Sequence, residues 1–207
     1  PRSEELVAAT RDADRGRQTQ ADVEARRDAD RAEFLDLQRA AGLDYRSAGW
    51  LSWSDLFRPL IDACPGLTAG PLTRWFDTNT FVRAPVIDGP LDLDRAAFAA
   101  VAGAKGSDVA VLPGPFTFSR LVEPRTDPDA LIEPLAERLL HPAAEQLRAA
   151  GASLLHLQEP ALVAGNSGPS ESSWPHLDRA LRTLREGLDL RVVLHTYYGD
   201  AGPLLPR

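Results

Sequence analysis

The sequence has one cysteine and no methionine, and both shortages limit what the protein can be. With Cys64 alone, the chain can form neither an internal disulfide nor a zinc site built from several cysteines. A reducing cytoplasm is therefore the expected location. The absence of methionine, even at the first position, indicates a processed protein or a fragment of a longer one.

Basic residues and long apolar stretches are also scarce. The chain carries 23 Lys and Arg against 30 Asp and Glu, which gives a net charge of −7. This sign opposes the phosphate neutralisation that holds proteins to nucleic acid, so we expect no nucleic-acid partner. Because no apolar stretch reaches the ~18 residues of a membrane helix and no secretory signal begins the chain, we expect no membrane association.

The pattern of apolar residues predicts alternating helices and strands. Residues 3–41 predict a helix that breaks at Gly16, and amphipathic segments end at Gly42, Gly151 and Gly187, each followed by a short apolar segment. About five strands are predicted, at 43–45, 81–87, 109–112, 152–157 and 190–194. Helical segments such as 94–102 and 130–140 separate them, and this alternation predicts a parallel sheet.

Polar, glycine and proline residues follow each predicted strand, in loops at 47–53, 113–115, 158–160 and 195–200. The carboxyl ends of parallel strands bind ligands in open α/β sheets and in (β/α)₈ barrels, so we expect the functional site there. Residues 163–174 predict a mobile loop or lid, because helix–strand units continue on both sides of them.

Five stretches of the sequence, taken together, resemble the cobalamin-independent methionine synthase family. They are residues 1–6 (PRSEEL), 74–81 (RWFDTNTF), 112–118 (LPGPFTF), 157–162 (LQEPAL) and 195–200 (HTYYGD). The stretches occur in the family's order and span nearly the whole chain. The second stretch is most similar to the amino-terminal barrel of the two-barrel enzymes, or to single-barrel relatives.

The resemblance implies a (β/α)₈ TIM barrel of the methionine synthase and uroporphyrinogen decarboxylase type. Such barrels typically have ~250 residues. We therefore expect residues 1–207 to be a single, incomplete barrel domain that lacks the first strand and the last two βα units. Because an open barrel exposes sheet edges, we expect flanking residues, a second barrel or a partner chain to complete it.

The resemblance also implies methyl transfer from 5-methyltetrahydrofolate to homocysteine, with zinc holding the sulfur as thiolate and without cobalamin. His195 matches the first zinc ligand of the family and is a catalytic candidate, but Tyr197 stands in the place of the first cysteine. The later ligands would lie beyond Arg207. We therefore predict no stoichiometric zinc in this chain, with His195 hydrogen-bonded within the loop cluster instead.

A second departure from the family lies at Gln158. Catalytic relatives carry Asp there to meet the substrate amino group, and Gln cannot neutralise an ammonium. We therefore expect folate as the small-molecule substrate before homocysteine. The neighbouring Glu159 is the candidate for a charged contact or a general acid/base, and capping of the following turn explains it equally well.

The remaining candidates for substrate binding lie in two stretches. Asp77 and Asn79 suit the edge of a heterocycle, with the rings of Trp75 and Phe76 on its face, while the alternative is that both rings are core and Asp77 caps a turn. Thr117, in a loop whose small residues permit close approach to the backbone, suits a phosphate or carboxylate. A tight turn explains that loop as well.

Two main functions follow from these residues. The first is an enzyme of methionine biosynthesis to which this chain contributes the folate side. The second is a non-catalytic barrel that binds a ligand or packs against a zinc-bearing catalytic partner, and Gln158 and Tyr197 favour it for this chain alone. A decarboxylase-like or corrinoid-linked relative would share the fold, but its substrate residues are not identifiable here.

Overall fold

The computed structural model describes residues 2–102, 106–124, 127–164 and 168–204, and its fold is α/β as the sequence predicts. The helices are α1 (Glu4–Asp14), α2 (Gln20–Ala40), α3 (Arg58–Asp62), α4 (Arg95–Ala102), α5 (Pro115–Leu121), α6 (Pro128–Leu135), α7 (His141–Ala149) and α8 (Ser173–Arg185). The strands are β1 (Leu67–Arg74), β2 (Phe81–Ile87), β3 (Val109–Pro113), β4 (Leu154–Gln158) and β5 (Arg191–His195). None of these helices is both long and apolar enough to cross a membrane.

Helices α1 and α2 form the predicted helical segment at the start of the chain, with its break at Gly16. Ser3 caps α1 and Thr19 caps α2, so each helix begins at a side-chain oxygen. The buried carboxylate of Asp30 joins the two helices, because it accepts the backbone N–H of Ser3 at 2.9 Å and its hydroxyl at 2.8 Å. The pair is thereby fixed at the end opposite its connecting turn.

Strands β3, β4 and β5 form a parallel sheet with β4 in the centre. Val111 pairs with His156, which pairs in turn with Val193. Gly151 and Gly187 follow α7 and α8 with φ values of 110° and 66°, a left-handed conformation that glycine adopts without strain. The predicted helix–glycine–strand junctions are thus confirmed in the second half of the chain.

Strands β1 and β2 form an antiparallel hairpin, so the prediction of an all-parallel sheet is wrong for this part of the chain. The sequence pattern located β2 and missed β1. Strand β1 contains Gly70 and Pro71, which normally interrupt strands, and its register shifts between Ala69 and Leu72. An irregular strand of this kind lacks the alternation by which strands are recognised in a sequence.

The segment 43–45, also predicted as a strand, is not one in the structure. The carbonyl of Arg46 accepts the N–H groups of Asp108 and Val109 at 2.8 and 3.1 Å. The guanidinium of Arg46 also forms an ion pair with Asp108, with 2.8 Å between Nε and Oδ2. The chain therefore borders the start of β3 through one residue, which is too short a contact to make a strand.

The main core lies between one face of the parallel sheet and the helices. Leu155 and Leu157 of β4 are buried in the same cluster as Leu140, in the π-helical turn Ala136–Leu140, and Leu184 of α8. Successive residues of a strand point to opposite faces, so His156 and Gln158 lie on the face away from these leucines. Gln158, the last residue of β4, lies where this second face meets the loops at the carboxyl ends of the strands.

Strand β5 is an edge strand of this sheet. Its apolar residues Val193 and Leu194 are 37% and 42% exposed, an unusual exposure for residues of a parallel sheet. The described residues form two partial sheets, of two and three strands, and these do not close into a barrel.

The predicted lid at 163–174 falls partly outside the described residues, which omit 165–167. Before that gap, Ala164 is buried. After it, the buried hydroxyl of Ser173 donates to Asp129 at 3.0 Å and accepts from Arg120 at 3.3 Å. The described ends of this segment are therefore packed against the body of the protein.

Candidate functional site

The loops after β3, β4 and β5 meet the turn between β1 and β2 at the carboxyl edge of the parallel sheet. Gly114 donates its backbone N–H to the carbonyl of Gln158 at 2.8 Å, and Glu159 donates to the carbonyl of His195 at 2.8 Å. The side chain of Trp75, in the turn, interacts with the hydroxyl of Tyr197. The convergence predicted for residues 75–79, 113–117, 158–159 and 195–198 is confirmed by these contacts.

Glu159 is 0% exposed, and its carboxylate joins the loop after β4 to the start of α5. Oε1 accepts the N–H of Phe116 at 2.9 Å, and Oε2 accepts the N–H of Thr117 at 2.6 Å. N–H groups in the first turn of a helix have no partner within the helix. The carboxylate therefore caps α5, and a role in acid/base chemistry stays a prediction that requires one of these bonds to break.

Gly114 makes room for this carboxylate. A Cβ atom at position 114 would lie 2.0 Å from Cδ of Glu159, far inside van der Waals contact. The sequence suggested that a ligand approaches the backbone at this loop. In the structure, the approaching group is a side chain of the protein itself.

Burial raises the pKa of Glu159 to about 7. The hydrogen bonds from Thr117 and Phe116 and the positive charge of Arg120 act in the opposite direction, because they favour the carboxylate. The burial effect is the larger one. Glu159 therefore changes charge near neutral pH.

Thr117, the predicted contact for a phosphate or carboxylate, is buried. Its hydroxyl accepts the N–H of Ala161 at 3.2 Å. Nearby, the hydroxyl of Ser119 donates to the carbonyl of Phe116 at 2.8 Å. Both hydroxyls are thus used within the fold, and a contact between Thr117 and an anionic ligand stays a prediction.

Trp75 is 6% exposed and packs within the core. Its ring lies 5.8 Å from that of Phe57 and, edge to face, 5.1 Å from that of Phe76. These contacts correspond to the core alternative for Trp75. Through Tyr197, the indole also ties the β1–β2 turn to the loop after β5.

Tyr197 is held as a neutral phenol. Burial raises its pKa to about 12, and the negative charges of Tyr198 and Glu159 act in the same direction, whereas the hydrogen bond with Trp75 acts against them. A metal ligand at this position would have to be the phenolate. Tyr197 therefore supplies no ready ligand for a metal.

Phe76 and Tyr198 are the two non-glycine residues with positive φ in the part of the chain that the structure describes, at 49° and 70°. For a bulky side chain this conformation is an outlier that costs on the order of 1–3 kcal/mol. Their rings lie 6.5 Å apart, and Tyr198 is 56% exposed. Tyr198 is not among the residues predicted from the sequence, since no local pattern marks an aromatic residue for this conformation.

The predicted polar contacts Asp77, Asn79 and Gln158 have different surroundings. Asp77 and Asn79 are exposed in the β1–β2 turn, where their side chains are accessible to a ligand. Gln158 is buried at the end of β4. The structure therefore brings the backbones of the predicted segments together without gathering all of the predicted side chains into one pocket.

The residues around His195 do not fit a zinc site. Its exposed ring stacks on that of His156 at 4.6 Å and lies 5.0 Å from that of Tyr197. Cys64 is buried at the end of α3, with Sγ 3.9 Å from the carbonyl of Pro90. No group of three His, Cys, Asp or Glu residues among those described is placed to hold a metal. The expected lack of zinc stays a prediction.

Comparison with known sequences relates most of the chain to one family. The model of the N-terminal domain of the cobalamin-independent synthases matches residues 64–206. The 5-methyltetrahydropteroyltriglutamate–homocysteine methyltransferase of Streptomyces coelicolor is 34% identical over 149 residues, which are 65% of this chain and 19% of that protein. The enzyme of the same name from Catharanthus roseus is 28% identical over 75% of this chain and 22% of its own length. The chain thus spans about a fifth of the curated relatives it matches.

Solved structures with the same fold are more distant in sequence. A B12-independent methionine synthase from Shewanella sp. W3-18-1, in complex with selenomethionine, aligns with a TM-score of 0.65 at 18% identity over 88% of this chain and 55% of that one. A putative vitamin-B12-independent methionine synthase from Listeria monocytogenes aligns with a TM-score of 0.65 at 16% identity over 98% of this chain and 64% of that one. These similarities concern the fold alone.

The contact between Gly114 and Glu159 predicts a large effect of Gly114→Ala. We expect a loss of about 3 kcal/mol or more in the free energy of unfolding, because the new methyl group overlaps the carboxyl group. Denaturant unfolding measures it, with Gly168→Ala, whose Cβ would be 3.4 Å from its nearest neighbour, as the control. In a Glu159→Ala background the same change should cost much less. An undiminished loss there would assign the damage to another contact.

The raised pKa of Glu159 predicts a pH-dependent stability. Between the ordinary value of 4.5 and about 7, the folded state keeps a proton that the unfolded state has released. Stability therefore falls as the pH rises through this window, by on the order of 3 kcal/mol in total. Urea unfolding of the wild type and of Glu159→Gln, from about pH 4 to about pH 8, isolates this contribution. Parallel pH profiles for the two proteins would contradict it.

Proposed function

The chain belongs to the cobalamin-independent synthase family, whose N-terminal domain it matches, and on that premise we propose that it forms the folate-binding side of a methyltransferase. The reaction is transfer of a methyl group from 5-methyltetrahydrofolate to homocysteine, in methionine biosynthesis. We also propose a cytoplasmic location, because the only cysteine, Cys64, is free and buried.

The composition of the carboxyl edge carries this proposal. Asp77 and Asn79 are exposed in the β1–β2 turn, which also holds Phe76, whose ring lies 6.5 Å from that of Tyr198. Aromatic faces with a few carboxylate and amide groups suit a flat heterocycle that donates and accepts hydrogen bonds at its rim. The same edge does not suit homocysteine, because Gln158 offers no negative charge to the ammonium group of that amino acid.

We propose that the complete fold is a (β/α)₈ barrel, of which residues 1–207 are one incomplete domain whose described residues supply three parallel strands. Two observations support this proposal. Strand β5 exposes Val193 and Leu194 along a free edge. The chain also covers 55% and 64% of the two solved chains to which its fold is similar. Flanking residues or a partner chain would supply the missing strands.

A second candidate function is a non-catalytic barrel that packs against a zinc-bearing catalytic partner. The specific observation in its favour is the state of Tyr197, a neutral phenol engaged with Trp75 in the position where the family carries a cysteine. His195 is exposed at the carboxyl edge, where a substrate or a partner can contact its ring. A catalytic role of His195 through such a contact stays a prediction.

Calorimetry with the triglutamate of 5-methyltetrahydrofolate and with homocysteine tests the proposed function. We expect binding of the folate and none of homocysteine. Asp77→Ala should weaken folate binding by about 1 kcal/mol, or roughly fivefold, if its carboxylate accepts a hydrogen bond from the ring. Asp14→Ala, which removes another exposed carboxylate, on α1, should leave it unchanged. Binding of homocysteine without folate, or folate affinity indifferent to Asp77, would refute the assignment.

Elemental analysis after purification without chelators tests the metal prediction. We expect far less than one zinc per chain, because tetrahedral coordination needs more donors than His195 and the distant Cys64 supply. The matched variant is His195→Ala, which should not change the metal content. Near-equimolar zinc that disappears in this variant would return the chain to the catalytic class.

A further inference from the structure

A cavity of about 440 Å³ lies between the helices α2, α4 and α7. Sites for small molecules typically have ~300–1,000 Å³, so this volume is sufficient for a small ligand. One wall belongs to α2 and carries four charged side chains, which are Glu24, Arg27, Asp28 and Arg31. Steps of three and four residues place side chains on one face of a helix, so a charged face of α2 borders the cavity.

The cavity is separate from the candidate functional site. Ala102 is the last residue of α4, Ala150 directly follows α7, and both line the cavity. Strands β3 and β4 begin a few residues after these helices, so the cavity lies toward the amino ends of the strands. The candidate site lies at the opposite, carboxyl ends. A ligand in the cavity therefore leaves that site free.

Arg27 has an unsatisfied guanidinium in this wall. Its Nε atom is buried and has no hydrogen-bond partner among the described residues. Two aspartates of the same helix are already engaged, since Asp30 pairs with Arg26 at 3.1 Å and Asp28 pairs with Arg31 at 2.6 Å. A buried N–H group of a charged side chain is costly without an acceptor. Arg27 therefore gains from an acceptor in the cavity.

The charges around Arg27 favour an acceptor that is negative. Arg31 lies one helical turn beyond Arg27, and like charges at this spacing repel each other. Asp28 and the hydroxyl of Ser52, at 3.4 Å, hold the guanidinium of Arg31 in the cavity wall. Glu24 opposes an anion, but it is exposed, so that water screens its charge. An anion beside Arg27 thus reduces the repulsion between the two guanidiniums.

The wall opposite α2 is largely small and apolar. Besides Ala102 and Ala150, it includes Ala99 and Ala100 of α4. Methyl side chains occupy little space and form no hydrogen bonds, so they suit the apolar part of a ligand. The planar fork of a guanidinium matches the two oxygens of a carboxylate. The cavity combines a charged anchor with an apolar surface that an inorganic anion would leave unused.

We propose that this cavity binds a small organic carboxylate. Its carboxylate group lies on the guanidinium of Arg27, and its apolar part lies against Ala99 and Ala100. The proposal does not depend on the proposed function, because it uses none of the residues at the carboxyl edge.

Calorimetric titration of the chain with butyrate tests the proposal. Butyrate has the carboxylate and a short apolar part, whereas butyramide has the same shape without the charge. We expect butyramide to bind at least about tenfold more weakly, because it loses a charge-assisted hydrogen bond to Arg27. Inorganic phosphate, which cannot use the alanine surface, should also bind more weakly than butyrate.

Two variants locate the binding in the cavity. Arg27→Gln removes the charge and should weaken butyrate binding by about tenfold or more. Ala100→Leu keeps Arg27 but fills the space beside it, and should weaken binding to a similar extent. Because Ala100 is exposed and leucine is a good helix former, this variant should melt at the temperature of the wild type. Arg11→Gln, which removes an exposed arginine of α1, should bind butyrate unchanged.

Several results would overturn the proposal. They are an absence of butyrate binding to the wild type at high millimolar concentration, equal affinities for butyrate and butyramide, and phosphate binding as tight as that of butyrate. Butyrate affinity that Ala100→Leu leaves unchanged would place the ligand elsewhere. If Arg27→Gln lowers the melting temperature, its charge also serves the fold, and Ala100→Leu alone then decides the location of the ligand.

Discussion

The carboxylate of Glu159 and the first N–H groups of α5 depend on each other. A carboxylate without exposure to water is costly unless donors surround it, and helix N–H groups without a partner are costly as well. Here the N–H groups of Phe116 and Thr117 find acceptors at 2.9 and 2.6 Å, and these bonds offset part of the cost of burying the carboxylate. Because the backbone of Glu159 also bonds to His195, the loops after β3, β4 and β5 form one hydrogen-bonded unit. Gly114 leaves the space that the carboxylate of Glu159 occupies in this unit.

That unit supports the aromatic residues at the rim. The loop after β5 brings Tyr197 against Trp75, and Trp75 fixes the position of the β1–β2 turn relative to the sheet. Strained backbone persists only where the surroundings determine it from several sides. Phe76 and Tyr198 satisfy this condition, because each is adjacent to one member of the Trp75–Tyr197 contact. The half-buried ring of Phe76 and the exposed ring of Tyr198 thus pack on the contact between Trp75 and Tyr197.

Local patterns in the sequence predicted the framework better than they predicted the site. Apolar runs and terminal glycines such as Gly151 located β3, β4, β5 and their helices, whereas Gly70 in β1 concealed the hairpin. The convergence of the loops followed from the general geometry of parallel strands. That geometry does not identify the hydrogen-bond partners of the Glu159 side chain, since they lie 42 and 43 residues away in the chain. The conformation of Tyr198 likewise depends on tertiary contacts alone.

The open edge of β5 and the aromatic rim are neighbours in the chain, because Tyr198 follows the last residue of β5 by three positions. A strand that paired with β5 in parallel would therefore end beside this rim. Edge strands with exposed apolar residues, here Val193 and Leu194, are normally covered. A strand added at this edge would cover these two side chains and would place its carboxyl end next to the loop that holds Tyr198.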